Sequence, residues 1–247
     1  MCLILFGYRT VPGLPLLVAA NRDEFHGRAA AAADFWADAP QVIAGRDLVA
    51  GGTWLGCTRT GRFAALTNFS GPDDEPRPRS RGILVQDFLI GSDSAEHYAH
   101  HIHGADFAGF NLLLFDGEQL VYTSNKGTTD VLKPGFYGLS NAELGAEWPK
   151  CVQGAAALHE AADAQADDSR LLALLNNRAI PADDELPHRG RPIEFERRVA
   201  PCFIVGDEYG TRASTIVRIS DTDVSLTEQT YFAAGATGDI VSYQHSL

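Results

Sequence analysis

Short apolar runs bounded by glycine, proline and charged residues recur along this chain, and they predict β-strands. Cys2-Leu3-Ile4-Leu5-Phe6 and Leu16-Leu17-Val18-Ala19-Ala20 each read as a strand covered on both faces. Arg9-Thr10-Val11-Pro12-Gly13 supplies turn chemistry between them, so the simplest geometry is a hairpin. A second hairpin is predicted where the apolar segments 53–58 and 62–67 flank Arg59-Thr60-Gly61. Residues 1–69 as a whole read as strands joined by glycine-rich turns. Segment 73–79 is a proline-broken charged loop. Ile83, Leu84, Phe88 and Leu89 stand at helical spacing and predict a helix over 81–90. Ser94 is a plausible N-cap for a second helix running to 103. Strands at 112–115 and 119–122 form a hairpin around Asp116-Gly117-Glu118, and 136–140 is a further strand. Helices follow over 148–164 and 169–177, then a long polar loop over 181–198 that borders the site. Strands return at 201–205, 213–219 and 224–231. The order predicts an α+β fold of two antiparallel sheets packed face to face with helices outside, in one domain spanning 1–247.

Composition narrows the class. At 247 residues and 45% hydrophobic, the chain can bury one large core. A net charge of −12 argues against nucleic acid or an anionic membrane as a general partner, while leaving a local basic pocket open. Four cysteines, at 2, 57, 151 and 202, lack any CxxC spacing and fit reduced thiols better than a disulfide framework or a zinc site. The N-terminal apolar run is too short for a signal peptide and no stretch reaches membrane-helix length, so the expected compartment is the cytoplasm and no membrane insertion is expected.

The chemistry begins at position two. Methionine aminopeptidases remove Met1 when the next residue is small, and this would leave Cys2 carrying a thiol and a free α-amine. The amine, with a pKa of about 8, can take the thiol proton, placing nucleophile and base on one residue. Taken alone, Cys2 is more simply a small residue opening a buried strand. The polar block Asn21-Arg22-Asp23-Glu24 changes those odds, because the hairpin returns Arg22 and Asp23 to the Cys2 end. A guanidinium there favours the thiolate and should bring the thiol below the free value of about 8.5, and a carboxylate can orient the α-ammonium. The competing reading is a solvated charged turn. Contiguous residues on a strand face opposite ways, so Arg22 and Asp23 both face the thiol only if the strand ends or bulges. Whether Asp23 or Glu24 partners the amine is left open. Acyl transfer also needs donors for the oxyanion. Asn68 and Asn141 each close an apolar strand, where an amide can enter a cleft or simply cap a turn. His97, His100, His101 and His103 read as a solvated helix face rather than zinc ligands, since no carboxylate or Cys completes a shell. Gly51-Gly52 is not a phosphate loop; it allows close backbone approach near Trp54.

Met1-Cys2, Asn21-Arg22-Asp23-Glu24-Phe25, Gly51-Gly52-Thr53-Trp54-Leu55-Gly56, Ala65-Leu66-Thr67-Asn68-Phe69, Gly138-Leu139-Ser140-Asn141 and Tyr209-Gly210-Thr211-Arg212 occur in that order. The ordered set resembles the NRDE family, also called the transport and Golgi organisation protein 2 family, over nearly the whole chain. The resemblance implies the N-terminal nucleophile (Ntn) hydrolase superfamily and its four-layer αββα sandwich. By comparison with cysteine Ntn amidases similar to bile-salt hydrolase, it implies catalytic roles for Cys2, Arg22, Asp23, Asn68, Asn141 and Arg212. Those amidases read Arg-Asn-x-Asp where this chain has Arg22 and Asp23 contiguous. Two functions follow from the resemblance. One is a cysteine hydrolase of an amide or acyl bond that needs no cofactor. The other is a non-catalytic carrier of haem or an acyl lipid, with Cys2 or a His as axial ligand, although no CxxCH is present.

Overall fold

The computed structural model describes residues 2–69, 77–187 and 189–247. Removal of Met1, and the charged stretch at 73–76, lie outside the described residues. One six-stranded antiparallel sheet is built from β1 (Cys2–Val11), β2 (Leu14–Phe25), β10 (Gly135–Leu139), β11 (Tyr209–Ile219), β12 (Asp223–Tyr231) and β13 (Thr237–Ser246). Its strand order is β10-β1-β2-β11-β12-β13. The second sheet has seven antiparallel strands in sequence order: β3 (Ala30–Trp36), β4 (Ala39–Asp47), β5 (Leu55–Thr58), β6 (Phe63–Asn68), β7 (Phe110–Phe115), β8 (Leu120–Ser124) and β9 (Thr129–Val131).

Strand alternation sorts the side chains into layers. On the first sheet, Ile4, Phe6, Val18, Ala20, Val217 and Leu226 face inward and pack against Ile43, Leu55, Phe63, Leu113 and Phe115 of the second. The opposite face, with Leu3, Leu5, Ala19 and Ile216, is covered by α3 (Pro149–Asp163) and α4 (Asp168–Leu175) through Leu158, Leu171 and Leu175. The outer face of the second sheet is covered by α1 (Gly82–Ile90) and α2 (Ala95–His100). The result is the expected αββα sandwich. Close seating of α3 depends on Gly138, where an added Cβ would fall 2.4 Å from the Cys151 carbonyl oxygen.

Four local expectations are corrected. Segment 181–198 is not irregular throughout, since α5 (Ile193–Val199) forms there. Glu194 and Glu196 lie in its first turn and Arg197 and Arg198 in its last, an order that complements the helix dipole. Segment 201–205 is not a strand. Its backbone makes single tertiary contacts instead, such as Phe203 N–H to the Asn177 carbonyl at 2.9 Å. The last strand, β13, falls where none was expected: an edge strand carrying polar side chains, it lacks the buried apolar run that marks its neighbours. The helix at Ser94 does begin there, with the Ser94 hydroxyl accepting from His97 N–H, but it ends at His100.

Candidate active site

The hairpin register sets Cys2 directly opposite Arg22, with Arg22 opposite Ala213 and Ala213 opposite Thr230. This row lies on the inner face, where β1 begins, beside a cavity of about 380 Å³ between the sheets, lined by Cys2, Arg22, Asp23, Asn68 and Arg212 among others. Among the described residues the lining carries five arginines (22, 28, 46, 81 and 212) and four acids (23, 24, 47 and 228).

The four residues of the Asn-Arg-Asp-Glu block divide between the two faces. Arg22 and Glu24 belong to the inner side and form a loose ion pair at 3.8 Å, which Glu24 shares with Arg28 at 3.9 Å. Asn21 and Asp23 face the helices. Asn21, with 0% exposure, donates to the Leu175 and Cys202 carbonyls at 3.0 and 2.8 Å and accepts from Ser214 at 2.6 Å, so it ties the strand to the helical layer. Asp23, 3% exposed, accepts from the Thr211 hydroxyl at 2.7 Å.

A bulge does occur, but on β11. Thr211 pairs with Asp23 and Ala213 with Arg22, which leaves Arg212 as the extra residue. Its guanidinium donates to the carbonyls of Phe25, His26 and Arg28 at 2.9, 3.2 and 3.0 Å, pinning the turn after β2 at the cavity rim.

Asp23 still reaches Cys2, because Cys2 sits at the strand end and the Asp23 backbone N–H hydrogen bonds the thiol. Burial pushes the Asp23 carboxyl up to about 6, although nearby Lys150, the Thr211 hydroxyl and Arg22 pull it down. Lys150, on α3 and buried, is a site neighbour that the sequence reading missed; it donates to the Val199 carbonyl at 3.0 Å. The expectation of a lowered thiol pKa at Cys2 is reversed. Burial above all, with the Asp23 charge, raises it, against the lowering pull of the chain's α-amino group, the Asp23 N–H and Arg22.

Asn141 is fixed from the other sheet. Thr67 donates to the Ser140 carbonyl, and Asn111 donates to the Ser140 and Ala142 carbonyls at 3.3 and 2.8 Å. The Asn111 oxygen is in turn held by the Tyr122 hydroxyl at 2.8 Å. Asn111 is also a missed residue; its signal was a lone amide inside the apolar run of β7. Thus held, Asn141 accepts from the Cys2 N–H at 3.2 Å through Oδ1 and donates to the Asn68 carbonyl at 2.6 Å through Nδ2. The Ser140 hydroxyl donates to the Cys2 carbonyl at 2.7 Å. Five of the six expected residues, Cys2, Arg22, Asp23, Asn68 and Arg212, line one cavity; Asn141 is not in its lining and meets it through Cys2 and Asn68, with both ends of its amide engaged. The His cluster lies elsewhere, on and just after α2, with the His97 and His101 ring centroids 4.1 Å apart and the rings tilted.

Two face-to-face antiparallel sheets, flanked by helices and with this cavity at the Cys2 end, define the N-terminal nucleophile hydrolase fold. A solved structure described as a Caenorhabditis elegans N-acylethanolamine-hydrolyzing acid amidase ortholog superposes with a TM-score of 0.53 at 10% identity, covering 87% of this chain and 92% of its own. The chain belongs to the Transport and Golgi organisation 2 family, whose model matches residues 1–233. Transport and Golgi organization protein 2 homologs are similar to it along most of their length. The Bos taurus protein is 36% identical, over 96% of this chain and 95% of its own, and the Homo sapiens protein is 35% identical, over 93% and 92%. Among the described residues, no helix is long and apolar enough to cross a membrane.

Proposed function

We propose that this chain is an Ntn-type cysteine hydrolase of an amide or acyl bond, with Cys2 as nucleophile once Met1 is removed. The observation that carries the reading is the arrangement at Cys2. Its nitrogen is 3.2 Å from Asn141 Oδ1, its thiol is bonded by Asp23 N–H, and Arg22 lies opposite, all at one end of a cavity. In the mature chain that nitrogen is an α-amine, and Asn141 Oδ1 accepts one of its protons, leaving the lone pair for the thiol proton. The thiolate attacks the carbonyl carbon, and the oxyanion takes a hydrogen bond from the Asn68 side chain at the cavity wall. The α-ammonium then gives its proton to the leaving amine or alcohol as the bond to carbon breaks, leaving a thioester on Cys2 that water cleaves. Asn141, with both amide ends engaged, orients the amine rather than binding the oxyanion.

Haem carriage fits the cavity less well. Among its described lining residues Cys2 supplies the one sulfur and no His contributes. The test is intact mass of protein from its native host, followed by assay of wild type and Cys2→Ser on a panel of N-acyl amides and acyl esters. Expected are a chain beginning at Cys2 and turnover that C2S abolishes. A chain beginning at Cys2 that turns over no member of the panel, or turnover surviving in C2S, overturns the reading.

A further inference from the structure

One buried acid in the cavity is not used by this chemistry. Glu228 on β12 is 4% exposed and faces inward, in the row that runs Ile4, Ala20, Thr215, Glu228. The next row toward the sheet end is that of Cys2 and Arg22. Across the cavity stands β3, the edge strand of the other sheet, and it bulges there. Ala31 pairs with Arg46 and Asp34 with Ala44, so Ala32 and Ala33 together oppose Gly45. The bulge turns the Ala33 N–H out of the ladder, and Glu228 Oε1 accepts it at 2.7 Å. Oε2 accepts from the Thr215 hydroxyl at 3.2 Å. Gly45 keeps the bulge uncrowded, since an added Cβ would fall 3.1 Å from the Ala31 carbonyl oxygen. Ala31, Ala32, Gly45 and Glu228 all line the cavity.

A carboxylate offers roughly four lone-pair directions, and the described partners of Glu228 use two. Burying an acid is costly unless it is paired, and a hydrophobic residue would close the two sheets at less expense. We propose that Glu228 is a specificity-determining residue of the Cys2 cavity. It presents a fixed acceptor to a hydroxyl, amide or ammonium donor on the substrate, and its negative charge opposes anionic groups along the β3 wall. The charge also tempers the arginines of the same lining, so that the cavity does not take every anion. The inference takes the Cys2 cavity as the substrate site, but its test requires no turnover.

Cys2 is alkylated with iodoacetamide and, separately, with iodoacetate, in wild type and in E228Q, and the modified peptide is quantified by mass spectrometry. Both reagents consume the same thiolate, so the ratio of their rates cancels the ionisation of Cys2 and reads the field along the approach. Glutamine keeps the shape and an oxygen for the Ala33 N–H. Removing one negative charge at this range should raise the iodoacetate-to-iodoacetamide ratio on the order of 3- to 10-fold. E228D, which draws the charge back by one methylene, should give a smaller rise in the same direction and serves if E228Q does not fold. A ratio equal to wild type in the folded variant overturns the proposal. A shifted ratio in a protein that hydrolyses nothing leaves this inference standing and counts against hydrolysis alone.

Discussion

Asp23→Asn should make the protein more stable at neutral pH. The Asp23 carboxyl is raised from 3.8 to about 6, chiefly by burial, and its side chain is almost fully enclosed. The sign follows from proton linkage. A folded pKa above the unfolded one means the folded state holds the proton more tightly. This contribution to stability is therefore full below about pH 4 and lost as pH rises toward about 6. Beyond that the buried carboxylate costs about 3 kcal/mol, from a gap of about two pH units at about 1.4 kcal/mol each. Asparagine never ionises, and its oxygen can still accept from the Thr211 hydroxyl. Urea unfolding of both proteins at pH 4, 5, 6 and 7.5 isolates the effect, because every other titrating group is common to the two. The stability difference should be near zero at pH 4 and reach about 3 kcal/mol in favour of D23N by pH 7.5. A difference that does not change with pH, or a D23N protein weaker at pH 7.5, refutes the reasoning.

Two further outcomes separate structural from chemical residues within the same motifs. Asn21→Ala leaves two carbonyls and a hydroxyl unsatisfied inside the protein, so it should cost about 3 kcal/mol or more in a urea melt; a loss under about 1 kcal/mol would contradict the anchoring role. Asn68→Ala should melt close to wild type and lose on the order of 10² to 10³ in turnover, whereas Asn141→Ala should lose turnover and also about 1–3 kcal/mol of stability; equal melting of the two would refute that division.

The sheets were legible because buried strands in a two-sheet core cannot hide. Cys2–Phe6, Leu16–Ala20 and the hairpin at Leu112–Tyr122 have continuous apolar runs, and each is a strand. Edge elements defeated the same reasoning. In β13 the side chains are mostly exposed or half-exposed, so no apolar run marks the strand, while the backbone ladder with β12 still holds it in place. At 201–204 residues are buried without a ladder, because the Asn177 carbonyl, the Asn21 amide and Thr211 satisfy their backbone singly. The approach of Arg22 to Cys2 followed from hairpin register alone. Lys150, Asn111 and Glu228 did not follow, since each arrives from an element remote in sequence and each is one polar residue with no local pattern around it. The sign at Cys2 failed for a related reason: the arginine was visible in the sequence, but the depth of burial that outweighs it is a tertiary quantity.

The contiguity of the Asn-Arg-Asp-Glu block now has a physical reason. Alternation along β2 sends Asn21 and Asp23 to the helical layer and Arg22 and Glu24 to the cavity side. One strand thereby anchors the scaffold and supplies charge from both sides of the sheet. The bulge at Arg212 keeps this division intact, because it lets Thr211 reach Asp23 on one face while Ala213 meets Arg22 on the other. The same geometry bears on activation. While a residue precedes Cys2, its nitrogen is an amide that donates to Asn141 Oδ1 and has no basicity to offer. The thiol, raised by burial, then stays protonated at neutral pH. Cleavage before Cys2 would place an amine of pKa about 8 where that amide stood, against an acceptor already aimed at it. On this reading the protein folds with its site assembled and gains its base by losing one residue.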